Sequence, residues 1–325
     1  MSSAVRIIGG FGDWRYEYMP NRLALPPSTR LHNAHGFALD DDGDLILSYE
    51  HVGGGMEDAR CLVRWHKADA YTQAVGFGPG LALCAGVPHG LTLAHDADGT
   101  QHLYHANAQG RLHKTTLNGT IVWTASGPPV RTPAFRNAKF TWIASPPGSP
   151  FLYVSDGYGS NFVHAYHSES GRYAQYSFGG PRKFKGCHTV DWDPRARQLV
   201  VCDRENHRIQ FFTPDGGPSS PNVSFRSMLA IPELTRPCHL RAAPDGVHAV
   251  VPDLLGPVGI LNASNALVSL VDVGQLLGHL GHAHPHDALL LPNGDLVVGT
   301  WNPGRLSYWR RLRRPPDKLL GRTSE

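Results

Sequence analysis

Short runs of alternating apolar and polar residues, each ending in a turn, recur along most of this chain of 325 residues. The clearest unit begins at residue 187, with runs at 189–193, 198–203, 208–213 and 223–226. β-Branched and aromatic residues fill these runs, and no segment shows a sustained helical period with caps. The pattern therefore predicts four short strands that form one antiparallel sheet.

Six units of this kind, each roughly fifty residues long, start near Leu31, Val87, Phe140, Gly186, Arg236 and His284. One such sheet cannot bury both of its faces alone, whereas sheets stacked around an axis can. We therefore predict an all-β fold, a six-bladed β-propeller with four antiparallel strands per blade, as a single domain over residues 1–325. The segment 1–30 is expected to supply a strand that closes the ring against the C-terminal blade.

A histidine stands at the start of the first apolar run in five of the six units: His35, His89, His188, His239 and His286. The remaining unit has Trp142 at this place. Since the first strand of each blade lines the channel of a propeller, these histidines are expected to converge around the axis. Three imidazoles at one point suit zinc with an open fourth position. Alternatively, each histidine only hydrogen-bonds the backbone of a neighbouring blade.

The remaining composition narrows the possible partners and the compartment. A net charge of +3 argues against general nucleic-acid binding, and no apolar stretch reaches membrane-spanning length. The chain begins without the layout of a secretory signal, and its 5 cysteines include no closely spaced pair. We expect a cytoplasmic protein whose partner is a small-molecule substrate.

Several strings resemble one enzyme family more specifically. The unit with DRENHRIQ at 203–210 has the Asp-x-x-Asn-x-Arg-Ile pattern of NHL repeats. Together with PHGL at 88–91, SDGYGSN at 155–161, CHTV at 187–190 and PHDALLLPNGDLVVG at 285–299, it resembles peptidyl-α-hydroxyglycine α-amidating lyase. The resemblance extends from the first unit to about Trp309.

The resemblance implies a catalytic zinc, or another divalent transition metal, bound by His89, His188 and His286. These three histidines lie on alternate units, which places them about a third of a turn apart. It also implies a structural calcium held by Asp287, with the carbonyl of Leu91 as a possible further ligand.

The same resemblance suggests catalytic roles for two loop residues. It implies Tyr158 as general base and Arg204 beside the substrate, and a nearby cation would lower the pKa of the phenol. Two structural alternatives stay open: an ion pair of Arg204 and Glu205 across blades, and Tyr158 as a packed loop aromatic. Glu50 stands where the family carries an arginine, and it is either a catalytic group or part of a solvated loop.

His35 and His239 exceed the family's three-histidine pattern, so they are extra ligands, substrate contacts or a sign of altered chemistry. Trp142 is expected to lie beside the substrate. Three functions compete. The first is a metal-dependent lyase acting on a small hydroxylated substrate, such as an α-hydroxyglycine. The second is a metal-dependent hydrolase or lactonase on a propeller, and the third is a non-enzymatic NHL-type platform for protein or RNA.

Overall fold

The computed structural model describes residues 6–27, 29–51, 60–77, 85–129, 135–215, 217 and 219–313. These residues form six antiparallel sheets, five of four strands and one of five. The innermost strands of successive blades contact one another around a common axis. The protein is therefore a six-bladed β-propeller with four-stranded antiparallel blades, which confirms the predicted fold class.

Two short strands, β1 (Ile8–Gly9) and β2 (Arg15–Tyr18), precede the blades. The first three blades follow in chain order. Blade 1 consists of β3 (Leu31–Leu39), β4 (Leu45–His51), β5 (Leu62–Trp65) and β6 (Ala74–Phe77). Blade 2 consists of β7 (Pro88–His95), β8 (Gln101–Asn107), β9 (Arg111–Thr116) and β10 (Ile121–Ser126). Blade 3 consists of β11 (Trp142–Ala144), β12 (Phe151–Ser155), β13 (Phe162–His167) and β14 (Tyr173–Gly179).

The last three blades complete the ring. Blade 4 consists of β15 (Cys187–Asp193), β16 (Gln198–Asp203), β17 (Arg208–Pro214) and β18 (Val223–Leu229). Blade 5 consists of β19 (Arg241–Ala242), β20 (Ala249–Pro252), β21 (Pro257–Leu261) and β22 (Leu267–Asp272). Blade 6 consists of β23 (His284–Leu290), β24 (Leu296–Trp301), β25 (Leu306–Leu312) and the N-terminal β2.

Helix contributes little to this architecture. One short α-helix (Val273–Leu277) and single 3₁₀ turns (Lys67–Asp69, Arg204–Asn206 and Gly278–Leu280) are present in the described ranges. None of the helices in this part of the chain is long and apolar enough to cross a membrane.

The ring is closed by the predicted N-terminal strand. β2 pairs antiparallel with β25, so that Tyr18 lies opposite Trp309. Tyr16 and Trp309 are both 0% exposed in the apolar core between blades 5 and 6. The two ends of the propeller are thus joined by backbone hydrogen bonds and by buried aromatic surface.

The apolar core lies between successive sheets. One cluster packs Phe151 and Tyr153 of blade 3 against Val190 and Leu199 of blade 4. Since burial of one such side chain contributes about 1.5–3 kcal/mol, each interface needs many of them to hold two blades together. The stacked core fixes the first strands around the axis, and these strands carry the repeat histidines.

Candidate metal centre

Four of the five repeat histidines occupy β-bulges in the innermost strands. The regular pairing of the first and second strands shifts at His35, at His89 with Gly90, at His188 and at His286. A bulge inserts an extra residue into a strand and re-aims its side chain. Each of these imidazoles is thereby turned out of the alternating pattern of its own sheet.

The four bulged histidines converge. All four are buried, with exposures of 0–2%. The His35 ring centroid lies 4.4 Å from that of His89 and 4.9 Å from that of His286. The His188 ring lies 5.2 Å from His89 and 4.6 Å from His286. The three predicted metal ligands therefore come together, and His35 joins them.

The closest group of ring nitrogens differs from the predicted triad. One nitrogen from each of His35, His89 and His286 lies within 4.8 Å of the other two. His188 contacts the rings of the last two from the opposite side of the group, as its place on blade 4 requires. His35 lies on blade 1, between blades 6 and 2, so it contacts the histidines of both neighbours.

Three of these histidines share one hydrogen-bonding arrangement, in which Nδ1 reaches a backbone carbonyl oxygen of the next blade. The pairs are His89 with Thr141 at 2.7 Å, His188 with Cys238 at 2.8 Å and His286 with His35 at 3.0 Å. Because a carbonyl oxygen only accepts, Nδ1 carries the proton and Nε2 keeps its lone pair. Each histidine therefore joins two blades through one nitrogen and offers the other as a metal ligand.

The electrostatics keep these three imidazoles neutral. Burial lowers the pKa values of His89, His188 and His286 well below the usual value, and neighbouring histidines and Arg204 lower them further. A metal binds the neutral form of imidazole, since protonation removes the lone pair. The three side chains are thus held in the binding-competent state at neutral pH.

Glu50 is the partner of His35. Its carboxylate accepts hydrogen bonds from Nε2 of His35 at 2.8 Å and from the amide of Asn33 at 2.8 Å, and His32 Nδ1 lies at 3.3 Å. Burial raises the pKa of Glu50, but the hydrogen bonds from His35 and Asn33 outweigh it and the net shift is downward. Glu50 therefore orients a histidine of the cluster, and its predicted catalytic role stays a prediction.

His239 has a different environment from the other repeat histidines. Its Nδ1 lies 2.7 Å from Asp287 and its Nε2 lies 2.8 Å from Asp191. Burial lowers the pKa of His239, but the two carboxylates outweigh this and the net shift is upward. Both nitrogens donate to carboxylates, so His239 is an ion-pair partner, and its predicted role as an extra ligand or substrate contact stays a prediction.

The donors around Asp287 also bear on the predicted calcium. This carboxylate accepts from His239, from Arg241 at 3.0 Å and from the backbone N–H of Phe37 at 2.7 Å. The oxygens of Asp287 are thus engaged by His239, Arg241 and a backbone N–H. The calcium predicted at Asp287 and Leu91 stays a prediction.

Trp142 fills the space between the histidines. It is 0% exposed, and its ring centroid lies 4.5 Å from that of His239 and 6.4 Å from that of His89. A β-carbon on Gly90 would lie 2.8 Å from the Cα of Trp142, so only glycine allows the strands to approach this closely. Trp142 is thus fully buried between these rings, and its predicted contact with the substrate stays a prediction.

Tyr158 and Arg204 lie beside the cluster, on equivalent turns of blades 3 and 4. The Tyr158 hydroxyl lies 3.3 Å from Nε2 of His89 and 3.1 Å from Nε2 of His188. The guanidinium carbon of Arg204 lies 5.8 Å from the Tyr158 ring centroid. The structure thus brings both predicted catalytic residues to the predicted ligands.

Two expectations about these residues need adjustment. Although Tyr158 is 40% exposed overall, burial of its hydroxyl end raises its pKa, and Arg204 offsets this only in part. Arg204 therefore lowers the Tyr158 pKa as expected from a nearby cation, but burial outweighs this and the net shift is upward. Arg204 pairs with Glu205 at 3.1 Å within one turn of blade 4, and it is Glu205 that pairs across blades, with Arg236 of blade 5.

The sequence matches no protein-family profile and no curated protein. Solved structures show the same fold at low identity. Periplasmic gluconolactonase from Pseudomonas aeruginosa is 15% identical, with a TM-score of 0.60 over 96% of this chain and 92% of that one.

Two further solved structures are similar. Virginiamycin B lyase from Staphylococcus aureus, determined as a catalytically inactive variant with quinupristin, is 12% identical, with a TM-score of 0.55 over 91% of this chain and 87% of that one. A putative 6-phosphogluconolactonase from Bacteroides uniformis is 14% identical, with a TM-score of 0.55 over 91% and 89%. The chain therefore has the fold of propeller proteins that include a lyase and lactonases.

Proposed function

We propose that the protein is a metal-dependent lyase that acts on a small hydroxylated substrate next to the histidine cluster. The observation that supports this most is the shared tautomer of His89, His188 and His286. Each has its Nδ1 proton committed to a carbonyl, so each keeps a lone pair on Nε2. The lone pairs of His89 and His188 lie beside the Tyr158 hydroxyl, and that of His286 has no partner among the described residues. Such an arrangement of buried neutral imidazoles is costly unless the lone pairs are used.

The residues fit a divalent transition metal. Nε2 of His286 is buried and has no hydrogen-bond partner among the described residues, which leaves a lone pair for an ion. Three neutral imidazoles suit zinc, and iron, nickel and copper also accept them. When bound, such an ion supplies Lewis acidity that polarises a substrate oxygen.

The remaining chemistry belongs to side chains at the edge of the cluster. The Tyr158 hydroxyl can donate its proton to one substrate atom and take one from another, because it lies at the boundary between the histidines and solvent. Arg204 is 11% exposed at its side chain and is anchored through Nε by Glu205. Its guanidinium would hold a substrate carboxylate through charge-assisted hydrogen bonds.

An N-acyl-α-hydroxyglycine is the substrate that the sequence resemblance favours. In the lyase reaction the carbon–nitrogen bond of the hemiaminal breaks, the hydroxyl loses its proton and becomes the aldehyde of glyoxylate. The nitrogen gains a proton and leaves as the primary amide. Atoms balance without water or an oxidant, and Tyr158 would transfer the proton.

Lactone hydrolysis is the second candidate. It is supported by the likeness in fold to a gluconolactonase and to a putative 6-phosphogluconolactonase. In this reaction water adds to the lactone carbonyl and the ring carbon–oxygen bond breaks. The lactone carbonyl oxygen would be the polarised atom, and Tyr158 would transfer the proton to the ring oxygen that leaves.

One assay distinguishes the two candidate functions. Protein loaded with Zn²⁺, Co²⁺ or Fe²⁺ is offered an N-acyl-α-hydroxyglycine and, separately, gluconolactone, with glyoxylate and acid release as the readouts. We expect glyoxylate release, abolished by a chelator and reduced about 10²–10⁴-fold in kcat by Tyr158→Phe. Tyr176→Phe, which removes a hydroxyl that contacts the Val223 carbonyl far from the cluster, is the control. Turnover of the lactone alone would replace the lyase by the hydrolase, and turnover of neither by any loaded form would contradict the proposal.

A further inference from the structure

The position of His35 in the propeller places it in the histidine cluster. It sits in a β-bulge of the innermost strand of its blade, as do His89, His188 and His286. Its ring is 2% exposed and lies against two of the three other imidazoles. His239, which has the same place in the sequence repeat, lies outside any described strand, and both its ring nitrogens contact carboxylates.

The two ring nitrogens of His35 differ in their hydrogen-bond partners. Nε2 lies 2.8 Å from the Glu50 carboxylate and donates to it, so Nδ1 keeps a lone pair. Nδ1 is buried and has no hydrogen-bond partner within the described ranges. A buried polar atom left unsatisfied destabilises the folded protein. A cation at the cluster would satisfy this atom, because Nε2 is already engaged by Glu50 and Nδ1 keeps the free lone pair.

We propose that the centre is a four-imidazole metal site in which His35 is the fourth ligand through Nδ1. Glu50 is then its positioning residue. The inference rests on the proposed metal-dependent function and adds a ligand to it. A carboxylate that accepts from the far nitrogen of a ligating histidine fixes the tautomer and raises its basicity.

The contacts of Glu50 suit it to position His35. Asn33 and His32 hold its other oxygen, so the carboxylate that meets His35 is fixed from two sides. The side chain of Glu50 is 16% exposed, and that of His35 is 2% exposed. The pair is therefore largely shielded from water, where a charge-assisted hydrogen bond is strongest.

A fourth histidine changes which ions can work at this site. Four imidazoles fill a tetrahedral ion completely, which is the arrangement of closed structural zinc sites. A substrate oxygen then needs a fifth position. We therefore expect the functional ion to be one that accepts five or six ligands, and the four neutral donors leave it with its full double positive charge.

Cobalt reports the ligand number directly. Purified protein, stripped of metal, is titrated with Co²⁺ while the visible ligand-field bands are recorded. Tetrahedral Co²⁺ absorbs strongly, and five- or six-coordinate Co²⁺ absorbs weakly. His35→Ala should weaken Co²⁺ binding by ~100-fold or more, and Glu50→Gln by ~10–100-fold. Both variants should also change the shape and intensity of the bands.

The controls separate this inference from the proposed function. His105→Gln alters another buried histidine, which contacts Thr115 in blade 2, and should leave the titration unchanged. Far-UV circular dichroism of each stripped variant establishes that it is folded. If His35→Ala does not fold, Glu50→Gln decides, since glutamine still accepts from Nε2.

Each outcome has one meaning. If His89→Ala loses Co²⁺ but His35→Ala and Glu50→Gln bind it with unchanged affinity and bands, His35 is not a ligand and the proposed function stands. If the wild-type protein binds no Co²⁺, Zn²⁺ or Fe²⁺, the proposed function fails and the fourth ligand fails with it. Weakened binding with altered bands in both variants supports the four-imidazole site.

Discussion

His239 shows how the partners of a residue decide what it does. It occupies the same place in the repeat as four cluster histidines, yet both its nitrogens donate to carboxylates, at 2.7 and 2.8 Å. Asp287 is 1% exposed and is also bound by Arg241. The group is a largely buried ion cluster that joins blades 4, 5 and 6.

Replacing His239 by leucine should therefore destabilise the fold. The change leaves Asp287 and Asp191 without their shared donor, and breaking a buried pair of this kind costs about 3–5 kcal/mol. Urea unfolding of the two proteins measures the difference. His95→Leu, which breaks an exposed pair with Asp41, is the matched control and should cost about 0–1 kcal/mol.

The cost should also depend on pH. The pKa of His239 is raised in the folded protein, so its charge stabilises the fold fully below the unfolded value of about 6.5. That contribution is lost as the pH rises through the folded pKa. The difference between wild type and variant should shrink in alkaline solution, and a difference that grows there would contradict the ion-pair assignment.

At the level of the strand, the β-bulge distinguishes the cluster histidines. The sequence repeat identified five equivalent histidines, and four of them lie on the innermost strands, whereas His239 lies just before the short strand Arg241–Ala242. It could not show which four converge, since a bulge depends on the register between two strands and not on the residue itself. The sequence also could not predict partners from other blades, such as Asp191 and Asp287 around His239, because these contacts depend on how the blades pack against one another.

The glycine after His89 is a strand-level requirement of this packing. A β-carbon at Gly90 would lie 2.5 Å from the carbonyl oxygen of Thr141, the group that accepts from His89. Gly90→Ala should push blades 2 and 3 apart at the axis and cost about 1–3 kcal/mol, as overpacked sites do. Metal affinity should fall as well, because the imidazole loses its anchor.

Thermal unfolding with and without metal checks this expectation. Gly278→Ala is the control, since a β-carbon there meets nothing within 4 Å and the backbone is helical, with φ −58 and ψ −35. It should be neutral or slightly stabilising. Equal stability and equal metal binding in Gly90→Ala and Gly278→Ala would show that the close approach is not needed.

For the whole molecule, hydrophobic periodicity was sufficient to predict the architecture. The first strands begin at or close to the predicted unit starts in most blades, because alternation with turns is a strong signal for short strands. The largest displacement is in blade 5, where Arg236 was predicted and the first strand is Arg241–Ala242. There the preceding residues form only an isolated bridge between Pro237 and Asp253.

The ring also explains why the site has its composition. Blades 2, 4 and 6 place His89, His188 and His286 at alternate positions, and blade 1 adds His35 between two of them. The fold brings residues more than two hundred positions apart in the chain into ring contact, as for His35 and His286. The convergence of these histidines follows from ring closure, which the sequence predicts. Their hydrogen-bond partners do not follow from ring closure and could not be predicted in this way.

Metal content of the purified protein tests the central claim most directly. The wild-type protein is compared with the variants His89→Ala, His188→Ala and His286→Ala, and with His105→Gln as control. Each protein is incubated with Zn²⁺, Fe²⁺ or Co²⁺ and desalted, and its metal content is measured by inductively coupled plasma mass spectrometry. We expect close to one ion per chain in wild type and control, and loss of the ion in all three variants. A wild-type protein that retains no ion, or variants that retain it fully, would contradict the metal centre.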